Sequence, residues 1–136
     1  MIRAVEKRKP HALVVYEDGH ESIVQAAKSA KERLAAKMAV QLRPLSELSI
    51  PEILSADAYV FAISDFNAPA WAELKRVMSG INLARRPAAS IAVAKSHALA
   101  LKRHCAPAEL SFSAPDLVLG PAADIGVWAD AFIASI

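Results

Sequence analysis

At 136 residues the chain has the length of one domain, enough to bury about two-thirds of its unfolded surface without disulfide or metal staples. Hydrophobic residues make up 54% and charged residues 22%, which excludes intrinsic disorder; the single cysteine, Cys105, excludes an internal disulfide and a cysteine-based zinc site. The net charge of +2 is uneven: residues 1–45 carry nine Lys/Arg against five Asp/Glu, whereas residues 104–136 carry four acids and no Lys or Arg.

The densest basic cluster, Lys7-Arg8-Lys9, has no aromatic or motif support, so nucleic-acid binding is not expected. Apolar runs fall far short of a membrane span. The charged amino terminus is not followed by a signal-type apolar stretch. The expectation is a soluble, cytoplasmic protein without membrane partners, with residues 1–10 as a lead-in and 11–136 as a single domain.

In chain order, residues 12–16 (ALVVY) are continuous, β-branched and bounded by charge, the pattern of a strand buried on both faces. Residues 17–22 form a turn. Ile23, Ala26, Ala27, Ala30 and Leu34 then repeat at helical spacing through residue 36. A second strand spans 38–42 and ends by Pro44. After a connector, Ile50-Pro51 opens a short helical turn, a place where proline is tolerated. A third strand spans 58–63, and the loop 64–69 leads into a helix over 70–79 that stops at Gly80. Residues 89–94 predict a fourth strand and 97–105 a helix closed by Pro107. A fifth strand is expected in two pieces, 110–112 and 116–119. The final helix covers about 122–136, with Ile125, Trp128, Phe132 and Ile136 as its buried stripe.

Five such strands alternating with helices predict an α/β, three-layer, doubly wound parallel sheet. At this length the order 2-1-3-4-5 is the default, and ligands bind beyond the carboxyl ends of the strands. The candidate site therefore lies on residues 17–22, 64–69 and 95–97.

Several landmarks carry a family resemblance. ALVVY, a Gly-containing turn and IVQAAKSAK resemble the opening of flavodoxins. RPLSEL followed by ILSADAYVFAI resembles their second-strand exit and third strand. Phe66-Asn67-Ala68-Pro69-Ala70 with Glu73-Leu74-Lys75 resembles the loop and helix that follow in flavodoxins and flavin reductases, and LARRPAASIAV resembles the approach to their fourth strand. The similarity spans nearly the whole chain and concerns hydropathy and landmarks. It implies the flavodoxin-like order 2-1-3-4-5, a flavin mononucleotide (FMN) cofactor and electron transfer to a redox partner protein. The implied cofactor-binding residues are Gly19, His20, Glu21 and Ser22 at the phosphate, Phe66 and Asn67 at the ring, and Ser96 and His97 at the far rim. No catalytic residue and no metal ligand is implied.

The family's phosphate loop is rich in Ser/Thr and Gly, which cradle the anion at a helix amino terminus. Here it is shorter and reads Glu17-Asp18-Gly19-His20-Glu21-Ser22, three carboxylates to one hydroxyl. A carboxylate ~5 Å from a phosphate costs roughly 3 kcal/mol per charge pair at an effective dielectric of ~20. The loop is thus either a reshaped phosphate site or a lost one, the acids then serving only the helix dipole. In the second case the chain is a non-catalytic interaction module, with a homo-oligomer as one form of it.

Glu17, Asp18 and Asp65 also suggest the acidic pocket of a receiver domain, which holds a divalent ion. Gly120 stands where a receiver has its lysine, and Ala94 where it has Ser/Thr. This leaves a degenerate receiver-like signalling domain as a further alternative. His20 and His97 are the one histidine pair that both fall on the expected ligand edge. Trp71 is expected to pack on the sheet, and Cys105 to be a small buried apolar residue.

Overall fold

The computed structural model describes residues 10–17, 20–64, 69–112, 114, 116–120 and 123–136. The elements are β1 (His11–Tyr16), α1 (Glu21–Leu34), β2 (Ala39–Pro44), α2 (Ile50–Ser55), β3 (Ala58–Ile63), α3 (Pro69–Met78), β4 (Ala88–Ala92), α4 (Lys95–Cys105), β5 (Leu117–Val118) and α5 (Ile125–Ala134). The five strands form one parallel sheet in the order β2-β1-β3-β4-β5. This is the expected class and strand order.

The continuous apolar runs have the expected cause. All six residues of β3 and all five of β4 are buried, because helices cover both faces of the sheet. Ala12, Val14 and Val60 face α1 and α5, where Ile23, Leu34, Trp128 and Phe132 pack against them. Leu13, Val15, Tyr59 and Phe61 face the opposite layer, built from Ile53, Trp71, Met78, Leu101 and Cys105. The Trp128 and Phe132 rings stack at 5.8 Å with their planes 5° apart.

The carboxyl-terminal third differs from expectation. Among the described residues β5 pairs with β4 through two residues, Leu117 and Val118, while Ser111 makes an isolated bridge to Pro87. Pro107 does not end α4 abruptly. It sits in a 3-10 turn, Ala106–Ala108, and Glu109 then reverses the chain in the left-handed region (φ 61°). α5 starts at Ile125, after the Asp124 carboxylate accepts the Val127 amide as its cap. Ile136 falls outside the buried stripe and is 42% exposed.

A polar clasp secures this region. The Ser90 hydroxyl, fully buried in β4, donates to the Asp116 carboxylate at 2.9 Å, and the Lys102 ammonium reaches the same carboxylate at 3.1 Å.

Candidate functional site at the carboxyl edge of the sheet

A parallel sheet sends every strand exit to one edge. The register makes Tyr16 level with Ala62, and Ile63 level with Ala92. The exits of β1, β3 and β4 therefore stand side by side, followed by the amino termini of α1, α3 and α4. Of the expected site residues, His20, Glu21, Ser22, Ser96 and His97 fall here; Gly19, Phe66 and Asn67, and the acids Asp18 and Asp65, lie outside the described residues.

Glu17 extends β1 by one residue, its amide donating to the Ala62 carbonyl at 2.9 Å. Its side chain is 3% exposed. One carboxylate oxygen accepts the Ser64 amide at 3.0 Å and the Trp71 indole N–H at 2.8 Å. Glu17 thus turns into the protein and ties the β1 exit to the β3 exit and to the first turn of α3. Trp71 packs in the layer beneath, as expected, and uses Glu17 as its polar partner. The sequence reading placed Glu17 among the loop acids and missed this link. An indole in a buried layer needs an acceptor, and that was the available signal.

His20 occupies the cap position of α1 with no side-chain cap bond. The Ile23 and Val24 amides both donate to its carbonyl at 3.1 Å. Glu21 and Ser22 are exposed in the first turn, and the Glu21 carboxylate accepts from the Gln25 side-chain amide at 2.7 Å. Across the edge, Ser96 is exposed and His97 half-buried in the first turn of α4. β3 lies between β1 and β4, so the ends that carry His20 and His97 are about 10 Å apart at ordinary strand spacing.

Among the described residues, no group of three or more His, Cys, Asp or Glu is placed to hold a metal ion. Cys105 is buried on α4, and burial pushes its thiol up to about 12, far from thiolate chemistry. A groove of about 160 Å³ lies between α2 and α3, lined by Leu45, Leu48, Ile53, Leu74 and Val77 among others. It is smaller than the roughly 300 Å³ of an ordinary small-molecule site.

No family model and no curated protein matches the chain. Solved structures do. A flavodoxin from Streptococcus pneumoniae TIGR4 matches at a TM-score of 0.78 and 12% identity, over 93% of this chain and 99% of that one. Flavodoxin 2 from Bacillus cereus matches at 0.78 and 14%, over 93% and 99%. The fold is that of the flavodoxins. A Fusobacterium nucleatum flavodoxin variant, described as bound to flavin mononucleotide, matches at 0.64 and 7%, over 92% of each chain.

The flavodoxin-like edge can be tested against that cofactor at the phosphate end. A phosphate cradle needs converging amides and hydroxyls. Here residues 17–22 carry three acids and a single hydroxyl, that of Ser22, and the first acid is bonded inward. Glu21 adds a negative charge at the first helical position. The residues present do not fit a phosphate dianion. No helix among the described residues is long and apolar enough to cross a membrane.

Proposed function

We propose that the chain binds a flavin at the carboxyl edge of its sheet and works in electron transfer with a redox partner protein. The observation that supports this reading is the retention of the whole flavodoxin architecture, matched over more than nine-tenths of both chains. Relatives this distant, at 12–14% identity, keep such a match only in the backbone, so the flavin itself is the proposal. In this reading Phe66 and Asn67 meet the ring and Ser96 and His97 form the far rim. Gly19, His20, Glu21 and Ser22 adjoin the end of the side chain. A bound isoalloxazine would supply the redox chemistry; the protein's part is to stack on it, orient it and exclude water.

The experiment is a titration of flavin fluorescence with the full chain. Quenching that saturates with protein supports the reading. Unchanged fluorescence at tens of micromolar protein removes it.

A second reading has its own observation. The inward turn of Glu17 fits a scaffold that has given up the phosphate site and serves as an interaction module. That reading expects no flavin uptake together with a stable oligomer or partner complex. A monomer by light scattering at high concentration argues against the oligomer.

A further inference from the structure

The carboxyl edge disagrees with its neighbours' cofactor at one end only, and the disagreement has a direction. Glu17 is committed to Ser64 and Trp71. The Ile23 and Val24 amides are engaged by the His20 carbonyl. What the first turn of α1 has left for a ligand is the amides of Glu21 and Ser22 and the Ser22 hydroxyl. The exposed Glu21 carboxylate belongs to that turn and accepts from the Gln25 side-chain amide one turn further along the helix. Asp18 precedes it in the chain, and His20 is the one group of the connection able to carry positive charge.

A phosphate monoester brings roughly 1.5 to 2 negative charges to such a place at neutral pH. A ribityl alcohol brings none and needs only the hydroxyl and amides that remain. Resting on the flavin reading above, we infer that this edge takes a flavin of the riboflavin class, ring and polyol without phosphate. FMN then gains no affinity from its phosphate.

The test titrates the full chain with riboflavin and FMN side by side, at low and high salt. Riboflavin is expected to bind as tightly as FMN or more tightly. Raising the salt lowers the FMN dissociation constant by about threefold because repulsion is screened, and leaves riboflavin unchanged; Glu21→Gln, which removes one of the repelling charges, shifts the FMN-to-riboflavin affinity ratio toward FMN by a similar factor. FMN binding tighter than riboflavin by about tenfold or more, and weakening with salt, overturns the inference and leaves the flavin reading standing. No quenching of either flavin overturns the inference through failure of the flavin reading itself.

Discussion

A carboxylate as buried as Glu17 is costly unless its lone pairs are engaged, and here two donors from different elements converge on one oxygen. Glu17→Ala leaves the Ser64 amide and the Trp71 indole without that acceptor. The expected loss is about 2–4 kcal/mol by urea denaturation. Trp71→Phe removes one donor only, and a double-mutant cycle should return a coupling of about 1 kcal/mol or more. Additive losses would break the proposed link. The sequence could not show this contact, because it depends on the register that sets Tyr16 level with Ala62.

His104 supplies a second residue-scale prediction. Burial, reinforced by the Lys75 charge, lowers its pKa from the usual 6.5. The folded state then binds fewer protons than the unfolded chain. Stability is complete above about 6.5 and declines as pH falls through that value. His104→Gln should flatten the fall in urea midpoint between pH 7 and 5; an unchanged slope would assign the acid limb to other groups.

At the scale of elements, α2 shows what local chemistry achieves in six residues. Ser49 and Glu52 form a reciprocal capping box, and Arg43 and Gln41 of β2 also bond the Glu52 carboxylate. Ser49→Ala should cost about 1 kcal/mol in thermal or urea unfolding. Glu109 marks the opposite case, a side-chain-bearing residue in the left-handed region where glycine is favoured. Glu109→Gly is expected to stabilise by about 0.5–1 kcal/mol, read as a higher melting temperature.

These two elements also divide what was legible. β1, β3 and β4 are buried on both faces, so their apolar runs announced them to within a residue or two. β5 was overestimated because 110–112 and 116–119 are apolar enough for strands. The Ser111 bridge is instead fixed by distant Pro87, and Glu109 turns the chain without a glycine to signal it. The site was legible as an edge but not as a set of contacts, since which acids turn inward is a tertiary fact.

At the scale of the molecule, the sheet is held unequally. β1 is paired along its length on both sides, whereas among the described residues β5 has two residue pairs with β4, the Leu119 amide on the Ala92 carbonyl and the Ser90–Asp116–Lys102 clasp. Asp116→Ala leaves the buried Ser90 hydroxyl without an acceptor, while Lys102, a third exposed, can turn to water. The expected cost is about 2 kcal/mol. Hydrogen exchange should show it locally, with amides of 117–119 accelerating more than those of β1 and β3. Uniform acceleration would mean that β5 does not open separately.

The layering also divides the protein's optical signals. Of its two tryptophans, Trp71 lies on one face of the sheet, hydrogen-bonded to Glu17, and Trp128 on the other, stacked on Phe132 with its indole nitrogen unpaired among the described residues. One indole therefore reports on the carboxyl edge of the sheet and the other on the packing of α5. Their surroundings differ in polarity, so their emission is expected to differ, and single-tryptophan variants allow each layer to be watched separately as the protein meets a candidate flavin, a partner or a denaturant.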